Sequence, residues 1–240
     1  MKQTSSNNAM KNILYGIGGL IGINLIIFIH EMGHFVFAKL FHVPTPYFSL
    51  GFGPTIIAYP IGQTTFLISL LPFGGYVQMD PQALADLPYI SQMLIISAGI
   101  LFNLIFAGLI FLSYFLQKKL PLLINLLKNL HQASSPHHEN KQNNIVGPVG
   151  IIALMGKSLA FNPQLYWFIL AILSLNVGLF NILPLPFFDG GQALILTIET
   201  VMGKAIPATL LWIISTTILA FFILFITRIT LNDIKQLFKK

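Results

Sequence analysis

Three stretches of this sequence, 93–116, 165–183 and 208–227, run for 24, 19 and 20 residues without a charged side chain. A fourth is uncharged from 14 to 29 and continues through HEMGHFVFAKL to residue 40 with nothing to break a helix. A hydrocarbon core needs about 20 apolar helical residues per crossing, so each run is long enough to span a bilayer. Composition leaves little else open. Asp, Glu, Lys and Arg make up 8% of the chain, about a third of what a soluble domain carries. The expected fold is an all-α integral membrane protein with about four transmembrane helices, near 12–40, 93–116, 165–183 and 208–227, forming one membrane-embedded domain over 1–240. Gly16, Gly18, Gly19 and Gly22 give the first span a slim face suited to close helix packing in lipid. No small-residue cleavage pattern follows that span, so it reads as retained rather than as a signal peptide.

Between the first two spans lies an apolar segment of a different kind, 48–79, punctuated by Gly51, Gly53, Pro54, Pro60, Gly62, Pro72, Gly74 and Gly75. Residues 56–61 and 64–71 are rich in β-branched side chains and flank a Gly62-Gln63 turn, which predicts a hairpin. Backbone at membrane depth must be paired, packed on protein or wetted by a cavity. An uncharged hairpin between two spans is therefore expected to be re-entrant, with one exposed edge. Residues 117–144 hold Lys118, Lys119, Lys128 and Lys141, a Leu-rich amphipathic stretch and then SSPHHENKQNN. They read as an interfacial helix followed by a soluble loop, and His131, His137 and His138 as solvated loop residues.

The net charge is +6, yet Arg228 is the one arginine and the lysines form no dense patch, so no nucleic-acid partner is expected. Cysteine is absent, which excludes disulfides and thiolate ligands. A metal would have to be held by His, Asp or Glu. His30-Glu31-Met32-Gly33-His34 offers such a site: two histidines four apart on a helix stack on one face, where both imidazoles reach one divalent cation. Glu31, beside them, is placed to take a proton from an attacking water. Ionisable groups inside an uncharged span are costly, so their presence points to function. Two histidines leave zinc under-ligated. Among the seven acids, Asp189 closes the run NILPLPFFDGG after 31 uncharged residues, 158–188. Pro184 and Pro186 break the helix before it, and Gly190 and Gly191 let backbone approach. That makes Asp189 the expected third ligand. Glu199, on a helix after those glycines, is expected to be interfacial.

Taken together the motifs resemble the site-2 protease family of intramembrane zinc metalloproteases, especially the bacterial branch that cleaves membrane-anchored anti-sigma factors. HEMGH is similar to the family's HExGH box. FSLGFGP and LPFGGYVQM resemble its strands and loop after the first core helix, SAGILFN its AGPxxN element, and NNIVGPVGI the approach to the third core helix. SLNVGLFNILPLPFFDGG resembles its last signature nearly throughout. The resemblance implies His30, His34 and Asp189 as ligands of one Zn2+ per chain and Glu31 as general base. It implies that Asn181 contacts substrate backbone near the metal. It also implies that the hairpin pairs with an unwinding substrate helix, through an outward edge sought among Thr65, Phe66, Leu67 and Ile68. Asn103 and Asn176 are candidates for hydrogen-bonding the ligands from behind, or for interhelical glue.

The activity so implied is cleavage of transmembrane segments in the lipid bilayer, on single-pass proteins or peptides that an upstream protease has already shortened. The setting is the bacterial inner (cell) membrane, with several crossings. Two alternatives stay open: clearance of signal-peptide remnants by the same chemistry, and an inactive metal-binding protein that retains substrates. Against the last stands Glu31, which a pseudoenzyme has no need to keep. Two departures matter. About 50 residues separate the second and third spans, too few for the PDZ domains of the anti-sigma-factor branch, so the chain reads as close to a minimal core. Ile100 stands where the family's second box usually has proline. Orientation sets two arguments against each other. Eleven of the thirteen Lys and Arg residues lie on the side of the termini and second loop, leaving Lys39 and Lys204 opposite. Positive-inside makes the first side cytoplasmic, whereas the resembled branch carries its termini outside.

Overall fold

Helices and a single hairpin make up the computed structural model, which describes residues 2–117, 119, 121–122, 124–125, 128 and 148–238. In chain order these are α1 (Lys2–Leu40), β1 (Tyr47–Ile61), β2 (Thr64–Gln78), α2 (Pro81–Ala85), α3 (Tyr89–Leu116), α4 (Pro148–Phe161), α5 (Pro163–Asn181), α6 (Asp189–Met202) and α7 (Ala208–Phe238). Four helical stretches among the described residues are long and apolar enough to cross a membrane: Ile13–Leu40, Tyr89–Leu116, Pro163–Asn181 and Ala208–Leu231. The protein is a multi-pass integral membrane protein, helical except for the hairpin between its first two spans. The expected spans recur with small shifts at their ends. α5 stops at Asn181 because Pro184 and Pro186 lie just beyond. The expected soluble loop, 117–144, lies almost wholly outside the described residues, as do its Leu-rich stretch and His131, His137 and His138.

Contacts divide the chain into two compact units. One holds residues 1–22, 107–172 and 222–240. Here the slim face of α1 meets α4, a 14-residue helix that begins within the NNIVGPVGI run. A Cβ on Gly19 would overlap the Ile152 carbonyl, and one on Gly156 would overlap that of Tyr15. Backbone thus lies on backbone, the approach that small residues allow in lipid. The Tyr166 hydroxyl donates to the Gly18 carbonyl at 3.2 Å and closes the contact.

The second unit holds residues 23–106 and 173–221, and with them the hairpin and the HEMGH segment. Asp80 caps α2 by accepting from the Ala83 N–H at 2.8 Å. Ala38, Val43 and Ile95 form an apolar core, with Phe37, Phe41, Met79 and Leu84 packed on it. Phe28, Phe35, Phe48 and Phe66 stack edge to face or tilted, with neighbouring centroids 5.3–5.7 Å apart, and fix the root of the hairpin on α1. Asn24 adds a hydrogen bond to the Pro72 carbonyl at 3.1 Å.

The hairpin is longer and more folded than its two predicted runs. Both strands have 15 residues, and Gly62 takes a positive φ of 59° in the turn. Beyond the turn, 61–57 pair antiparallel with 64–68. The strands then bend back. Residues 47–50 pair with 65–68 on one side, both numbers rising together, and with 78–75 on the other, running opposite. Gly51, Gly53 and Gly74 occur at the bends with φ of 87°, 84° and 97°, a region that side chains disfavour. The ribbon therefore has four rungs across, in the order 57–61, 64–68, 47–50, 75–78.

Candidate metal centre

His30 and His34 lie one turn apart on α1, and their rings meet edge to face with centroids 4.9 Å apart. Their Nε2 atoms are 3.3 Å from each other. Asp189 is the first residue of α6, delivered there by the broken stretch after α5. Gly190 and Gly191 press on the carbonyls of Ile182 and Leu185, where a Cβ would overlap them. The turn is thus close enough to return a carboxylate to α1. Asp189 Oδ2 lies 3.2 Å from His30 Nε2 and 3.5 Å from His34 Nε2. It is buried and makes no hydrogen bond.

These separations test the site for zinc. Tetrahedral ligands at about 2.0–2.1 Å from the ion stand roughly 3.3–3.4 Å apart. Three atoms converging at 3.2, 3.3 and 3.5 Å match that spacing. Without a cation the carboxylate oxygen has no partner for its burial, a large penalty at membrane depth. The donor set of two imidazoles and one carboxylate, with one position left open, is that of a catalytic zinc site. It is the one such cluster among the described residues and is consistent with one Zn2+.

α3 supplies no ligand but lines the site with residues four apart. The Ile95 carbonyl accepts from His34 Nδ1 at 2.8 Å, which puts the proton on Nδ1 and leaves Nε2 free for a metal. Gly99 lies where a Cβ would overlap His34 Nε2. The Asn103 side chain is 3.2 Å from His30 Nδ1. Glu31 is half-buried beside the ligands. A Cβ on Gly75 would be 3.1 Å from its side chain, and the Val77 backbone N–H faces its carboxylate.

The remaining candidates are placed as follows. Asn181 is half-buried and donates to the Val177 carbonyl of its own helix at 2.9 Å. Asn176 is exposed, unlike the buried Asn103. Thr65, Phe66, Leu67 and Ile68 are paired on both sides, by 60–57 and by 47–50, so the outward edge expected among them lies elsewhere, at 57–61 and at 75–78. Of the other acids, Asp80 is a helix cap, Asp86 accepts from Gln82 Nε2 at 2.9 Å, and Glu199 accepts from the Ile206 N–H at 2.8 Å. Gly99 and the Ile95 carbonyl are site elements to which the sequence reading gave no role. SAGILFN held the signal for one: its glycine is four residues before Asn103.

The profile of peptidase family M50 matches residues 18–225. The chain belongs to peptidase family M50. Its M50 relatives include a Clostridium perfringens protein, 22% identical over 331 aligned positions that cover 92% of this chain and 98% of the relative. That alignment is longer than this chain, so the relative carries inserted segments that are lacking here. A Borreliella burgdorferi protein is 35% identical over 117 positions, 41% of this chain and 27% of the relative. One from Thermotoga maritima is 37% identical over 113 positions, 42% and 22%. In these two shorter matches the chain spans about a quarter of the relatives' length. All three are provisionally named zinc metalloproteases.

Proposed function

We propose that this chain is an intramembrane zinc metalloendopeptidase that hydrolyses transmembrane segments of membrane proteins. The observation that carries the reading is the convergence of His30, His34 and Asp189 on one point beside Glu31, with both histidines on a helix long and apolar enough to cross a membrane. Zinc held by those three residues supplies a Lewis acid for the scissile carbonyl and lowers the pKa of a bound water. The rest is done by the chain. Glu31, half-buried and next to the ligands, takes the proton from the attacking water and passes it to the leaving amine. The Val77 N–H faces that carboxylate, and Gly75 leaves room beside the Glu31 side chain. Asn181, on the approach to Asp189, offers its amide oxygen to substrate backbone.

A transmembrane helix hides its amides in its own hydrogen bonds, so a strand edge beside Glu31 is needed to pair with the segment that unwinds. The substrate class is a single-pass membrane segment or a shortened remnant of one. The test is Glu31→Gln, which removes the base and keeps every ligand. Zinc content of the purified variant should equal that of the parent, while cleavage of a reconstituted single-pass substrate falls by roughly 10²–10⁴-fold. Turnover near the parent rate removes Glu31 from the chemistry.

A further inference from the structure

His34 has its Nδ1 proton fixed by a backbone carbonyl, which no substitution can change. His30 has no such carbonyl, and its Nδ1 meets a side chain instead. We infer that Asn103 is a positioning residue for His30, presenting its amide oxygen to His30 Nδ1 while Ser174 holds the amide nitrogen. The inference rests on the zinc reading above and assigns Ser174, the first residue of the SLNVGLFNILPLPFFDGG run on α5, to the same site.

Asn103 and Ser174 are both completely buried. One end of the Asn103 amide lies 3.2 Å from His30 Nδ1 and the other 3.3 Å from Ser174 Oγ. The Ser174 hydroxyl also donates to the Asn103 backbone carbonyl at 3.0 Å. As placed, Nδ2 faces the ring and Oδ1 the serine. The two ends have nearly the same shape, and half a turn about χ2 exchanges them at nearly unchanged distances, so hydrogen bonding decides between them. With nitrogen toward the ring, Nδ1 must accept, and the ring proton sits on Nε2, the atom directed at Asp189. That leaves no lone pair for a metal. With oxygen toward the ring, Nδ1–H donates to Asn103 and Nε2 is free. Every other group is then also paired. Asn103 Nδ2–H donates to Ser174 Oγ, whose own proton is spent on the Asn103 carbonyl. Metal at His30 Nε2 therefore selects this orientation of the buried network.

The experiment measures zinc affinity of the full chain in detergent by competition with a chromophoric chelator, with the visible spectrum of the Co2+-loaded protein as a second readout. Asn103→Leu keeps the volume and removes the acceptor; its zinc affinity should fall about 10–100-fold. Asn103→Asp keeps an acceptor toward His30 and should restore affinity close to that of the parent. Ser174→Ala frees the amide and should fall between the two, with an altered Co2+ spectrum. Parent-like affinity in Asn103→Leu overturns the inference, as does an Asn103→Asp variant no better than Asn103→Leu. Should Asn103→Leu fail to fold, Ser174→Ala decides alone, and parent-like affinity and spectrum there overturn it. The protease reading fails separately. A protein that cleaves nothing yet keeps this order of affinities refutes that reading and leaves Asn103 and Ser174 in place.

Discussion

A Cβ built on Gly99 would overlap His34 Nε2 and lie against the His30 ring, so the missing side chain keeps room for the ion between ligands and helix. Gly99→Ala must push both imidazoles off their positions. Overpacking of this kind costs about 1–3 kcal/mol, which a four-span protein tolerates, but the ligand geometry does not survive. The expected outcome is a folded protein with zinc content near zero by elemental analysis. Gly108→Ala on the same helix, where a Cβ meets nothing within 4 Å, should keep its zinc. Equal zinc in the two variants would show that α3 does not wall the site. The ligands could be read from the sequence because His, Glu and Asp are conspicuous where charge is otherwise excluded. Gly99 and Ser174 were less visible for the opposite reason. Glycine and serine are common in membrane helices, and one adds only space, the other only a hydroxyl spent inside the protein.

At the scale of elements, the proposed function gives the hairpin an edge that pairs with substrate. Four rungs at about 4.8 Å spacing put the 57–61 edge roughly 14 Å from the 75–78 edge. Gly75 and Val77 lie against Glu31, so the second edge serves the chemistry and the first is remote from it. Alternation fixes which amides point out. The Thr65 N–H donates to the Pro46 carbonyl, away from its cross-strand partner Pro60. The Pro60–Thr65 pair is therefore not hydrogen-bonded, and Pro60 and Ala58 face outward. By the same alternation from Pro46, Tyr76 and Gln78 face the neighbouring strand, and Gly75 and Val77 face out. Ala58→Pro should leave both zinc and cleavage near parent levels. Val77→Pro should keep zinc and lower cleavage at least about tenfold, since it removes the N–H facing Glu31. Zinc content and proteoliposome assays on both variants check this, and a larger cleavage loss in Ala58→Pro would move the docking edge to the remote side. The spans themselves were legible because a soluble fold rarely holds several uncharged runs of 19–24 residues. The register was not, since its central pairing of 47–50 with 65–68 is set by glycine bends that a reading of alternating side chains does not capture. α4 was missed as a helix because 14 residues are too few to register as a crossing.

For the whole molecule, the alignment with the Clostridium relative holds inserted segments with no counterpart here. Between the second and third spans about 50 residues leave little chain for a docked domain that selects substrate. Under the proposed function, the bound segment's own stability is then the expected main filter. A substrate helix must give up internal hydrogen bonds before its carbonyl reaches the ligands, and that cost falls where Gly, Asn or Pro weakens the helix, by about 0.5–3 kcal/mol per residue. Cleavage of a series of single-pass substrates that differ only at mid-span should then rise from poly-Leu to Gly- or Asn-containing spans, about tenfold for each 1.4 kcal/mol of helix stability removed. The measurement is initial rate in liposomes at fixed substrate density, repeated with Glu31→Gln to subtract background. The same order should hold when the extramembrane parts are exchanged between substrates, because the cost of unwinding belongs to the span. Rates that follow the exchanged flanks instead, and stay flat across the span series, would place selection outside the membrane and leave the hairpin edge only to hold what another contact has chosen.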